Sequence, residues 1–320
     1  MKSNWLVVAL IALSACGTTD KDYDDKMILR YNESAGISNL DPAHSERFED
    51  IWAMSQIYNG LIRLDSDMKI VPDLAKEWEM DSSRMTYTFH LRTDAIFQDS
   101  EGFEDGKGRK VVAEDFIHSF QRILDPEEGS QGKFIFKNID RLATQNHLGM
   151  EAPNDSTLVI HLKKPQHSFL KMLTLSYCYV VPIEVADYFG DDFTRNPVGT
   201  GPFQMKVWRQ GDKLVLVKNE EYHEFDDAGE RLPYLDAISI SFIRSRSTEF
   251  TEFSKGNLDF ISGIDDSYQN SVLTASGELK DEYQDKFYML KQPWLKTDYI
   301  VGKHSQGISV LGATCWSAAC

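Results

Sequence analysis

The chain has 320 residues, enough for two domains and a sizeable core. Its 50 acidic residues against 34 basic ones give a formal net charge of −16. So acidic a chain excludes nucleic-acid binding, which needs clustered basic side chains against phosphates.

The chain opens with Lys2 and an apolar run over 5–13 (WLVVALIAL), the layout of a secretory signal. A helix needs about 20 apolar residues to span hydrocarbon, so this run is too short for a permanent anchor. Leu13-Ser14-Ala15-Cys16 follows. Ordinary signal cleavage wants small residues one and three positions before the cut; Ala15 qualifies and Leu13 does not. The four residues resemble a bacterial lipobox, in which the cysteine sulfur takes a diacylglyceryl group and becomes the new N-terminus. The expected layout is a signal peptide over 1–15, a lipid on Cys16 and a polar tether over 16–27. The mature protein is then exported and anchored to a membrane, facing the periplasm or the cell exterior.

Four cysteines make no disulfide framework. Cys178 sits in an apolar run and is expected to be an inert buried hydrophobe. Cys315 and Cys320 lie in the last six residues.

Further along, Tyr87, Phe89 and Leu91 alternate over 86–91, which predicts a strand with one buried face. Residues 113–124 predict a helix. Glu114 and Asp115 stand in its first turn and Arg122 in its last, as the macrodipole prefers. Phe116, Ile117, Phe120, Ile123 and Leu124 make one apolar stripe. Segments 238–243, 247–255 and 258–262 read as strand, helix and strand. That spacing predicts a right-handed βαβ unit and places the chain in the α/β class.

Motifs that carry chemistry are missing. The loop from Gly102 to Gly108 is one residue short of a P-loop and puts Gly108 where Ser or Thr should meet magnesium. Asp65-Ser-Asp67 begins like a calcium loop, but Ile70 stands where the sharp turn needs glycine. There is no HExxH pair and no G-x-S-x-G elbow. No catalytic residue, cofactor or metal is expected, and the chain is not expected to be an enzyme.

Scattered segments read in order resemble the bacterial extracellular solute-binding proteins of family 5, the receptors of peptide/nickel-type ABC importers. They begin with Asn39-Leu-Asp41-Pro42-Ala43, Asn59-Gly-Leu61, and Pro72-Asp-Leu-Ala75 with Trp78. Tyr87 to Arg92 with Phe97 follows, then Val112-Ala-Glu-Asp115-Phe116 with Ser119, Phe120 and Arg122. The series ends with Pro197-Val-Gly199-Thr200-Gly201-Pro202-Phe203, then Trp208, Asn219, Tyr222 and Gly256-Asn-Leu-Asp259. Among these, Asp41, Pro42, Pro72, Trp78, Arg92, Asp115, Gly199, Thr200, Gly201 and Pro202 mark the scaffold.

The resemblance implies a periplasmic-binding-protein-like clamshell of class II. Segments 28–48 and 191–290 would build a discontinuous first ligand-binding lobe. Residues 49–190 would form a small domain packed on it, and 291–300 would start the hinge to a second lobe. The implied ligand is an extended oligopeptide or dipeptide, handed to an ABC permease with separate ATPase subunits. Gly36, Ile37 and Ser38 match the family position where backbone approaches the ligand. A monomer is expected. The alternative cargoes on this scaffold are nickel chelates, haem or oligosaccharides; a surface hydrolase ranks below them.

The resemblance stops near residue 300, and the second lobe is expected to be largely missing. Residues 301–320 contain no Asp or Glu, although 50 in 320 predicts about three. They are expected to be an aberrant or out-of-frame tail.

Overall fold

The computed structural model describes residues 26–146, 148–290, 298–304 and 307–313. The chain enters on β1 (Ile28–Asn32) and passes a 3-10 turn at Pro42–His44 into α1 (Phe48–Ile57). Strands β2 (Ile62–Leu64), β3 (Ile70–Pro72), β4 (Ala75–Met80) and β5 (Thr86–Leu91) follow. After α2 (Ala113–Leu124) come β6 (Met150–Asn154), β7 (Thr157–His161), α3 (Phe169–Leu173) and α4 (Ile183–Phe189). Next are β8 (Phe203–Arg209), β9 (Lys213–Lys218), β10 (Ala237–Ser241), α5 (Arg246–Ser254), α6 (Asp266–Val272) and α7 (Asp281–Gln284). A last pair, β11 (Asp298–His304) and β12 (Gly307–Ala313), is an antiparallel hairpin.

Two four-stranded sheets organise the body. The first has the order β1-β10-β9-β8, with β1 parallel to β10 and the other neighbours antiparallel. The second, β4-β5-β7-β6, is antiparallel throughout. One continuous apolar core reaches from Ile238 and Ile240 of the first sheet to Phe89 and Leu158 of the second. On β5, Tyr87, Phe89 and Leu91 are all buried, as the alternation requires. On α2, Phe116, Ile117, Phe120 and Ile123 are buried, and Leu124 packs half-buried beside them. Each such side chain stabilises the fold by about 1.5–3 kcal/mol through area removed from water. Residues Phe250, Val272 and Leu273 centre a smaller, separate cluster near the end of the body.

The expected βαβ unit is one strand wider than the sequence implies. The strand and helix stand at β10 and α5, but 258–262 is reduced to a single parallel bridge between Phe260 and Tyr31. It pairs with β1 because β1 already occupies the edge of β10 that it was expected to take. Arg30 and Asp259 extend the contact: the Arg30 amide donates to the Asp259 carboxylate at 2.7 Å, and the Asp259 amide to the Arg30 carbonyl at 2.7 Å.

Other sequence readings land on described residues. The Gly102–Gly108 loop is a turn held by Asp99, which accepts from the Gly108 amide at 2.9 Å. Asp65 accepts from the amides of Asp67 and Lys69, both at 2.9 Å, and makes a plain Asx turn. Cys178 is buried, and burial pushes its thiol far above the ordinary range. Backbone pairing in the β11–β12 hairpin runs across residue 301, where the sequence changes character. The signal segment, Cys16, Cys315 and Cys320 lie outside the described residues. Among the described residues no helix is long and apolar enough to cross a membrane.

Candidate functional site

In sheets with parallel strands, ligands collect where the strands end at their carboxyl edge. Here that edge is the exit of β1 and β10. Asn32, buried at the end of β1, locks both exits together. Its side-chain amide donates to the Ile243 carbonyl at 2.9 Å and to Glu249 of α5 at 3.0 Å, and its carbonyl accepts from the Ile243 amide at 2.7 Å. The Glu33 amide donates to Ser241 at 2.8 Å, carrying the ladder one residue further.

The chain then turns a corner over 33–38. The Gly36 amide donates to the Glu33 carbonyl at 3.0 Å, and Gly36 takes φ +70°, which a glycine adopts without steric cost. Ile37 is buried and Ser38 exposed, so the corner is pinned by one apolar side chain. Asp50 of α1 accepts from the Ser38 amide at 2.8 Å and from its hydroxyl at 2.9 Å. Arg47 donates to the Ser38 hydroxyl oxygen at 2.7 Å and to the Gly36 carbonyl at 3.1 Å. Among the described residues, the amides of Ser34 and Ile37 make no hydrogen bond. A rigid corner with unpaired main-chain donors is what an extended chain needs for strand-like pairing.

Helix α1, whose N-cap Arg47 and Asp50 hold the corner, also carries two exposed aromatic side chains. Phe48 is 87% exposed and Trp52 44% exposed, and Trp52 meets the Tyr31 ring edge-on with centroids 4.6 Å apart. Glu33 faces the same space. Burial raises its carboxyl pKa, the Ala35 amide works against that, and Glu49 and Glu249 add to the rise. The corner can therefore offer main-chain hydrogen bonds and an aromatic surface, with the Glu33 carboxyl and the Arg47 guanidinium both at hand.

The Gly36, Ile37 and Ser38 positions thus sit together at the carboxyl edge of the sheet. Sequence reading missed Arg47, Asp50 and Trp52, which hold and flank them. Phe48 and Trp52 are four residues apart on one helix face, a signal that was available.

The remaining motif residues are placed apart from this corner and hold the scaffold. Asp41 caps the turn that begins with buried Pro42 and receives Arg122 through two hydrogen bonds, at 3.0 and 2.7 Å. Asp115 accepts from the Val112 amide at 2.8 Å, closing the start of α2, and pairs with Arg109, which also grips Glu184. Arg92 clamps Asp94 and donates to the His223 carbonyl at 3.1 Å. Trp78 faces Phe89 across β4 and β5, and Pro72 ends β3 opposite Ile62.

Gly199 and Gly201 lie against the end of α1, where a Cβ would stand 2.2 Å from the Ile57 carbonyl oxygen and 2.5 Å from its carbon. The Gly201 amide donates to that carbonyl at 2.8 Å, and the buried Thr200 hydroxyl donates to Asn59 at 2.9 Å. Pro202 follows, its carbonyl accepting from the Asn219 amide at 2.9 Å. The motif is a seam between α1 and β8.

A model of the bacterial extracellular solute-binding proteins, family 5, middle region, matches residues 69–300. The periplasmic oligopeptide-binding protein OppA of Salmonella typhimurium is 28% identical over 309 residues, covering 92% of this chain and 53% of the relative. The dipeptide-binding protein DppE of Bacillus subtilis is 27% identical over 250 residues, covering 75% and 43%. Among solved structures, the periplasmic binding protein DppA of Helicobacter pylori in complex with peptide STSA has a TM-score of 0.67 at 25% identity, over 78% of this chain and 50% of that one. The A. tumefaciens R10 protein MoaA in complex with mannopinic acid gives 0.63 at 28%, over 77% and 47%. The chain spans about half the length of the curated relatives it matches. By its description the family binds solutes outside the cytoplasm. A family match running from the start of β3 into β11, over a fold shared with peptide-bound relatives, settles the assignment: the chain belongs to the bacterial extracellular solute-binding proteins, family 5.

Proposed function

We propose that the chain captures a short peptide outside the cytoplasmic membrane for delivery to an ABC permease whose separate ATPase subunits supply the energy. The observation that carries this reading is the 33–38 corner, where the amides of Ser34 and Ile37 make no hydrogen bond among the described residues and Trp52 packs on Tyr31 of the preceding strand. Main-chain pairing gives affinity without regard to side chain, and an aromatic wall accepts many residue types. In this reading 28–48 and 191–290 form one lobe, 49–190 packs on it, and 291–300 starts the hinge. The receptor acts as a monomer, and a lipid on Cys16 holds it near its permease. It carries no catalytic step.

A second cargo is supported by the likeness to a protein bound to mannopinic acid. Calorimetric titration of the purified chain with a mixed tetrapeptide library, and separately with mannopinic acid, tests both. Saturable heat with peptides is the expected result. Heat with mannopinic acid alone transfers the site to the second cargo, and heat with neither contradicts both.

A further inference from the structure

Two groups of side chains among the described residues bring a histidine and two carboxylates within 4.8 Å of one another. They differ in what their atoms already do. In the first, both His44 nitrogens are engaged, and Arg122 lies on both Asp41 oxygens and on Glu128. A cation there would meet a guanidinium. The second group, Asp73, His223 and Glu224, is filled only in part: Arg63 lies on one Glu224 oxygen, while Asp73 accepts from neutral donors and His223 Nε2 has no partner.

Asp73 is buried in the connection from β3 to β4, where it accepts from the Asn59 side chain at 2.9 Å and the Gly60 amide at 3.0 Å. Those bonds fix the carboxylate and leave lone pairs on both oxygens. His223, in the loop after β9, is 4% exposed, and its Nε2 is buried without a hydrogen-bond partner. An orphaned ring nitrogen in the interior is destabilising unless something binds it. Glu224 gives one oxygen to Arg63 at 3.0 Å and keeps the other.

We propose that Asp73, His223 and Glu224 bind one divalent transition-metal ion, with zinc the best match. One imidazole and two carboxylates form the mixed nitrogen and oxygen set that zinc accepts. A tetrahedral ion with bonds of about 2.0 Å sets its ligand atoms about 3.3 Å apart, inside the 4.8 Å bound within which these atoms lie. The ion would cross-link the β2–β3 pair to the loop after β9. Sequence spacing hides this site, because Asp73 lies 150 residues before His223.

Arg63 supplies the discriminating variant. It competes with the ion for Glu224, so Arg63→Gln should tighten binding while Glu224→Gln weakens it. The purified chain, stripped by chelation, is titrated with Zn²⁺ by calorimetry and with Co²⁺ by visible absorption. One equivalent is expected, with affinity falling about tenfold or more in Glu224→Gln and His223→Gln. Glu224 is half-buried, so its variant tests the site even if His223→Gln fails to fold. No Co²⁺ spectrum, or the same affinity in Glu224→Gln and Arg63→Gln as in the unaltered chain, overturns the proposal. The second result would place the ion at other residues.

Discussion

Asp41 and Arg122, 81 residues apart, meet through two hydrogen bonds of 3.0 and 2.7 Å, with side-chain exposures of only 3% and 14%. The pair fastens the turn after β1 to the last turn of α2. Both charges have left water, so removing one strands the other in a medium that solvates it poorly. Arg122→Ala should therefore cost about 3–5 kcal/mol, read by urea unfolding. Arg30→Ala, which breaks a pair exposed by 44% and 39%, should cost about 0–1 kcal/mol through the lost charge pairing. Equal costs would remove the Asp41–Arg122 pair from the account of stability.

The same carboxylate makes stability depend on pH. A hydrogen bond to Asp41 raises the His44 ring, burial opposes it, and the Glu128 carbonyl adds to the rise, giving a pKa of about 9 against an ordinary 6.5. A raised folded pKa means the contribution is complete below pH 6.5 and lost as pH rises through 9. Allowing for partial exposure, about 1–2 kcal/mol should disappear over that window. His44→Gln should flatten the profile there. At the acid end, burial raises the Asp41 carboxyl, but His44 and Arg122 more than offset it, leaving a pKa of about 2. Its contribution is present above pH 3.8 and lost as pH falls through about 2.

Gly199 is fixed by space rather than by backbone angle. A methyl there meets the Ile57 carbonyl at 2.2 Å, and that carbonyl is already committed to the Gly201 amide. Gly199→Ala should lose about 2–3 kcal/mol or more by overpacking. Gly211→Ala, at φ +75° in open space, should lose about 1–2 kcal/mol from conformation alone. Thermal unfolding of the two variants gives the comparison.

Cys16→Ala should abolish labelling by a fatty-acid probe in cells that retain it in the unaltered chain. Equal labelling of the two would remove the lipid anchor from the proposal.

Local patterns made parts of the fold legible. The stripe on α2 and the alternation on β5 sit within single elements, and burial follows them residue by residue. The width of the first sheet was not legible, because β1 enters it from about 200 residues before β10. Nothing in the sequence near 258–262 reveals that its partner is Tyr31. The corner at Gly36–Ser38 was reached through resemblance, yet its lock was not. Arg47 and Asp50 are ordinary polar residues until α1 folds them back onto Ser38.

In the proposed function, ligand meets this chain at the 33–38 corner. The direct measurement is an amide-resolved NMR titration of the isotopically labelled chain with the tetrapeptide library. The largest shifts should fall on Ser34, Ile37 and the Trp52 indole, and Trp52→Ala should weaken binding about tenfold. Shifts confined to the apolar groove around Phe253 and Phe287, or no shifts at all, would contradict the account.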